Sequence, residues 1–98
     1  MSGTGPCILC VDDEAVNLML LRALLEPRGY DVITAANGNE ALETISRRQV
    51  DLVLLDVMMP QLNGYDVCSA IKNDEKSRDI PVILITALRS KDDRIKGI

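Results

Sequence analysis

Apolar and polar positions alternate along this chain with two different periods. Short uninterrupted apolar runs, Cys7-Ile8-Leu9-Cys10-Val11, Leu52-Val53-Leu54-Leu55 and Val82-Ile83-Leu84-Ile85, have the length and composition of strands buried on both faces. Between them lie longer segments with helical spacing. The pattern predicts strands over 7–11, 30–35, 51–56 and 82–86, helices over about 14–26, 39–48 and 65–73, and a fourth helix starting near 91. The first helix is rich in Leu, follows aspartates able to cap free N–H groups, and is stopped by Pro27 and Gly29. Ala41, Leu42 and Ile45 share one face of the second helix, and Val67, Cys68 and Ile71 point inward from the third. Asn37-Gly38 reads as a turn, 59–64 as a loop and the charged stretch 74–79 as a connector. Pro81 falls at a strand entry, where its missing N–H matters least.

Apolar strands alternating with helices predict an α/β fold, a doubly wound parallel sheet covered on both faces. The 98 residues suffice for one domain, taken as 1–98 with residues 1–6 a flexible N-terminal extension. Apolar residues make up 47% of the chain without any Phe or Trp, so the core must be aliphatic. A net charge of -4 with dispersed Lys and Arg argues against direct nucleic-acid binding. No run approaches the roughly 20 apolar residues of a membrane span, and the start lacks the basic region and apolar core of a signal peptide. A cytoplasmic protein without membrane attachment is expected. The absence of His excludes imidazole nucleophiles, bases and ligands. Three cysteines suit a reducing compartment. Cys7 and Cys10 are three apart on a strand and so point to opposite faces, as small buried hydrophobes rather than a metal-binding pair.

Candidate chemistry lies where the strands end. Asp12 and Asp13 close the first apolar run, Asp56 closes the run before it, and Thr86 closes the last predicted strand. Doubly wound sheets bind ligands beyond the carboxyl ends of their strands. If the first and third strands are neighbours, the three carboxylates meet in one pocket. Carboxylates about 5 Å apart repel by roughly 3 kcal/mol per pair at an effective dielectric near 20. Such a cluster calls for a cation, a retained proton or generous solvation. An all-oxygen site with few protein ligands suits Mg²⁺, with Mn²⁺ a substitute. Asp56, on a rigid strand, is then placed to attack phosphorus and form an aspartyl phosphate. The Thr86 hydroxyl and the backbone N–H groups of 57–59 are candidates to bond the phosphoryl oxygens. Taken singly, each residue has a plainer reading: a helix cap, a turn residue or an ordinary strand former. The joint pattern carries the functional one.

The residues Ile8-Leu9-Cys10-Val11-Asp12-Asp13-Glu14, Leu54-Leu55-Asp56-Val57-Met58-Met59-Pro60 with Gly64, and Pro81-Val82-Ile83-Leu84-Ile85-Thr86-Ala87 occur in order over nearly the whole chain. In them the sequence resembles the receiver domain of bacterial two-component response regulators. The resemblance implies a flavodoxin-like (βα)5 fold with strand order 2-1-3-4-5. It implies that Asp56 accepts a phosphoryl group from a histidine kinase or histidine phosphotransfer protein. Asp13 and Asp56 would ligate Mg²⁺ directly together with the Met58 backbone carbonyl, and Asp12 would act through a water. Thr86 would be the switch hydroxyl, Pro60 and Gly64 would shape the loop after the phosphoacceptor, and an output domain or downstream protein would read the change. The domain would catalyse only its own phosphoryl transfer and dephosphorylation.

The chain matches about the first four-fifths of a receiver. No fifth strand with its Lys-Pro pair is found, and Lys72, Lys91 and Lys96 do not stand where that lysine would. An apolar fourth strand without a further neighbour invites homodimerisation or strand exchange through its edge. A phosphorylation-independent interaction module is the alternative, distinguished by partner binding that survives Asp56→Asn. A hydrolase with an aspartate nucleophile fits less well, because Asp12-Asp13-Glu14 does not supply the Asp-x-Asp such enzymes favour.

Overall fold

In a computed structural model of the chain, which describes residues 5–56 and 64–85, four parallel strands form one sheet with helices on both faces. The order of elements is β1 (Cys7–Val11), α1 (Ala15–Leu25), a 3₁₀ turn (Glu26–Arg28), β2 (Asp31–Ala35), α2 (Gly38–Arg47), β3 (Leu52–Asp56), α3 (Gly64–Asn73) and β4 (Val82–Ile85). The strands lie in the order β2-β1-β3-β4, every pair parallel. This agrees with the doubly wound sheet expected from the apolar runs and with the first four positions of the implied order. Thr86 and the helix expected near 91 lie outside the described residues.

Alternation along each strand divides the core into two layers. Leu9, Val11, Val53 and Leu55 face α2 and α3, where they pack with Ala41, Val67 and Ile71. Ile8, Cys10 and Val32 face α1 and meet Leu18, Leu21 and Leu25. Cys7 and Cys10 fall in different layers, and all three cysteines are free thiols. Burial pushes the Cys10 thiol up to about 11, with the Arg22 guanidinium pulling weakly the other way. β1 is buried along its whole length, so the strand carrying Asp12 at its end is the most rigidly enclosed of the four.

The ends of the helices account for most departures from the sequence reading. Asn37 caps α2 rather than forming a free turn: its Oδ1 accepts the Glu40 N–H at 2.8 Å. Glu40 Oε1 in turn accepts the Ala36 N–H at 2.8 Å, a reciprocal arrangement that lets Gly38 begin the helix. At the start of α1 the cap position falls to Glu14 rather than to an aspartate. Glu14 holds that position without its side chain accepting a backbone N–H of the first turn, and Asp12 Oδ1 instead accepts the Glu14 N–H at 2.9 Å. Pro27 is accommodated in the 3₁₀ turn that follows α1, and Gly29, at φ 95°, supplies the left-handed residue that reverses the chain.

The connector after α3 is bound to its surroundings. The buried Ser77 Oγ donates to the Ile71 carbonyl at 2.7 Å, and Lys72 Nζ donates to the carbonyls of Ile80 at 2.6 Å and Arg78 at 3.1 Å. Lys72 therefore fastens the approach to β4, away from the carboxyl ends of the strands. On the outside of α1, Val16, Met19, Leu20 and Leu24 form an exposed apolar stripe.

Replacing Asn37 with Ala should destabilise the protein by about 1 kcal/mol, the usual worth of a side-chain cap; chemical denaturation measures it. An unfolded thiol titrates near 8.5, below the folded Cys10 value. The preference for the neutral thiol therefore stabilises the fold below about pH 8.5 and is lost as the pH rises toward 11. The stability advantage of the protein over Cys10→Ala should narrow across that interval, and iodoacetamide should label Cys68 before Cys10 unless denaturant is present.

Candidate functional site

The pairing of β1 with β3 creates the site. Val11 is the register partner of Leu55, so one further step brings Asp12 beside Asp56 at the carboxyl edge of the sheet. Asp56 closes β3 and is paired with Ile85 of β4, and the Asp12 backbone N–H donates to the Ala35 carbonyl at 3.1 Å. Asp12 is thus held against β2 and Asp56 against β4. Asp13 follows at the surface. Each of the three aspartates presents a carboxylate oxygen within 4.8 Å of the others.

Burial divides the three into two kinds. Asp12 is 2% exposed and Asp56 5%, whereas Asp13 faces solvent. The buried pair therefore feels the larger repulsion, about 3 kcal/mol at an effective dielectric near 20, while water and salt screen the pairs involving Asp13. Donors converge on Asp12 to offset this. Its Oδ1 accepts the Glu14 N–H, and its Oδ2 accepts Asn17 Nδ2 at 3.0 Å in a buried contact. The same Asn17 nitrogen donates to Glu14 Oε1 at 3.2 Å.

Oxygen is the sole donor element in this cluster, and two of its three carboxylates are enclosed by strands. A hard divalent cation that accepts few protein ligands and keeps several waters fits such a set. Soft metals, which prefer thiolate or imidazole, do not: Cys10 lies in the layer under α1 and the chain has no His. The structure brings together three of the residues singled out in the sequence. Thr86, Met58, Pro60 and the N–H groups of 57–59 lie outside the described residues. Gly64, expected to end the loop after Asp56, is the first residue of α3.

The sequence reading missed Asn17 and assigned no contact to Glu14. A signal for the first was present. Asn17 is the lone polar residue in the apolar segment Ala15-Val16-Asn17-Leu18-Met19-Leu20-Leu21, one turn after the acidic triplet.

Comparison with known proteins agrees with this geometry. The family model described as response regulator receiver domain matches residues 8–98. Response regulator PleD of Caulobacter vibrioides is 48% identical over 91 residues, which cover 93% of this chain and 20% of that protein. This chain therefore spans about a fifth of that relative. Among solved structures, the N-terminal domain of a response regulator receiver protein from Methanoculleus marisnigri superimposes with a TM-score of 0.81 at 40% identity, covering 93% of this chain and 76% of that one. Response regulator TrrA of Thermotoga maritima, solved in complex with Mg²⁺-BeF, gives a TM-score of 0.71 at 28% identity, covering 94% of this chain and 97% of that one. With a family match over almost its whole length, and carboxylates gathered at the edge where such folds bind their ligands, this chain belongs to the response regulator receiver domains of two-component signalling.

Proposed function

We propose that the domain, residues 1–98, is a Mg²⁺-dependent phosphoacceptor that takes a phosphoryl group on Asp56 from a histidine kinase or a histidine phosphotransfer protein. The observation that carries this reading is the meeting of Asp12, Asp13 and Asp56 within 4.8 Å at the carboxyl ends of β1 and β3. Asp13 and Asp56, with the Met58 carbonyl, would hold the ion directly. Asp12, whose two oxygens already accept protein N–H groups, would act through a water. When bound, Mg²⁺, or Mn²⁺ in its place, neutralises the crowded carboxylates and draws in the phosphoryl oxygens.

The residues of the chain supply the rest. An Asp56 carboxylate oxygen forms the bond to phosphorus while the phosphorus–nitrogen bond of the donor phosphohistidine breaks, and the departing imidazole takes up a proton. β3 holds Asp56 by its backbone, so the acceptor is oriented before the donor arrives. The Thr86 hydroxyl then bonds to the new phosphoryl group, and the face built around β4 changes for an output domain or downstream partner to read. The exposed apolar stripe of α1, beginning within a turn of Asp13, suits contact with the donor protein. Such a domain turns over no substrate beyond its own phosphoryl group, and it works in the cytoplasm alongside its kinase. It needs no contact with nucleic acid or membrane, and no described helix is long and apolar enough to cross one.

A second copy of the chain is a further partner. Among the described residues β4 is hydrogen-bonded to β3 on one side, and Ile83 is 51% exposed. An edge of this kind accepts a strand from another molecule unless it is charged or covered. Sedimentation velocity should show a concentration-dependent dimer that Ile83→Lys weakens; an unchanged monomer at every concentration would refute it.

The main test is phosphorylation of the intact protein with Mg²⁺ and acetyl phosphate, read by intact mass. One phosphoryl group should be added, and none to Asp56→Asn or in the presence of a chelator. Removing the Asp56 charge should also raise the stability of the metal-free protein, by up to about 3 kcal/mol, and abolish its stabilisation by Mg²⁺. If Asp56→Asn were still phosphorylated, the assignment of the acceptor would be wrong.

A further inference from the structure

We propose that Asn17 is a positioning residue for the cation site: it fixes Asp12 and Glu14 together before the ion arrives, and the affinity for Mg²⁺ depends on it. The inference rests on the proposed metal-dependent function and extends it to a residue of α1 that neither touches the ion nor carries charge.

The geometry constrains the role closely. Asn17 is 7% exposed, and its side chain lies between two carboxylates. Ionised carboxylates only accept hydrogen bonds, so the amide must turn its NH₂ group toward them. Nδ2 reaches Asp12 Oδ2 at 3.0 Å and Glu14 Oε1 at 3.2 Å, which uses both of its hydrogens. Asp12 Oδ1 is held at the same time by the Glu14 N–H. A carboxylate gripped at both oxygens cannot rotate about χ2, so Asp12 keeps one orientation despite its repulsion from Asp56. The bond is buried and its acceptor charged, which places it among the stronger neutral-donor hydrogen bonds.

An isolated polar residue in an apolar helix also has a purely structural explanation, in which Asn17 only anchors α1 to the end of β1. The two roles differ in their dependence on the ion. An anchor contributes equally with and without Mg²⁺. A positioning residue contributes to the difference between those states, because a disordered Asp12 must be ordered when the ion binds. Partners that orient metal-site carboxylates typically contribute about 10–100-fold to affinity.

The test measures Mg²⁺ binding to the intact protein by calorimetry, together with the increase in Tm that saturating Mg²⁺ produces. Asn17→Leu, of similar volume and unable to donate, should bind Mg²⁺ about 10–100-fold more weakly and show a smaller Mg²⁺-dependent rise in Tm at a fixed concentration. Asn17→Gln, which keeps the amide, should recover part of the affinity. If Asn17→Leu does not fold, Asn17→Ala carries the same expectation. Unchanged Mg²⁺ affinity and an unchanged Tm increment in the folded variant would overturn the proposal, even if the Tm itself fell. Failure of the underlying functional reading would look different: the unsubstituted protein itself would bind no Mg²⁺.

Discussion

Parallel pairing of β1 with β3 is the constraint on which the site depends, because it forces two buried carboxylates together. The register that sets Val11 against Leu55 leaves no freedom at the next position. Asp12 and Asp56 must emerge side by side, and the fold carries their repulsion as part of its own stability. Small domains have total stabilities of only about 5–15 kcal/mol, so a repulsion of about 3 kcal/mol is a substantial share. The sheet tolerates it because each aspartate is attached to a strand with neighbours on both sides. β1 lies between β2 and β3, and β3 between β1 and β4. Splaying the carboxylates apart would break ladder bonds and open both apolar layers.

The local hydrogen bonds complete that compensation unevenly, and the unevenness suggests a division of labour. Asp12 is the most buried of the three and has a donor at each oxygen. Asp13 is open to water, where a charge costs little and a ligand exchanges freely. Asp56 sits at the end of a strand, enclosed yet facing the rim. Under the proposed function these become an enclosed anchor, an open ligand and an oriented nucleophile, three environments that one residue type acquires from strand position. A fourth acidic side chain, Glu14, is tied back through Asn17.

Much of this was legible in the chain because strand burial and strand termination leave separate marks. Unbroken apolar runs identify the strands of the sheet, and an aspartate directly after such a run identifies the edge where the carboxylates gather. Leu52-Val53-Leu54-Leu55-Asp56 contains both signals in five residues. What could not be read was how neighbouring side chains use the backbone. Asn37-Gly38 has turn composition, yet Asn37 Oδ1 accepts the Glu40 N–H while Glu40 Oε1 accepts the Ala36 N–H, and the segment becomes the start of a helix. Asp12 has the composition of a helix cap, but it bonds ahead of the helix, because its carboxylate is already committed to the end of the sheet. Asn17 is a polar interruption in an apolar helix segment. Its buried partner Asp12 lies five residues earlier, across the strand-to-helix junction, beyond the three- and four-residue spacings of an amphipathic pattern. Strand order is likewise absent from local pattern, and the resemblance to receivers supplied it.

The same junction explains how a charge change at the rim can be felt elsewhere. α1 begins two residues after Asp13, and its first turn contains Asn17, which is bonded to the carboxylate cluster on one side. Directly after it and one turn on, Leu18 and Leu21 pack on Ile8, Cys10 and Val32. The cluster and the α1 layer of the core are therefore joined through a single short segment of close-packed chain. Close-packed interiors transmit small displacements rather than absorbing them. A shift in the orientation of Asp12 would move the N-terminal turn of α1 and the apolar stripe on its outer side as one unit. On the other side of the Asp12–Asp56 pair, Asp56 is the register partner of Ile85, so the proposed acceptor is aligned with the end of β4. Charge added at Asp56 would act on two elements at once, through backbone pairing on one side and through the Asp12–Asn17 bond on the other. That requires no movement of β1, which is buried along its whole length.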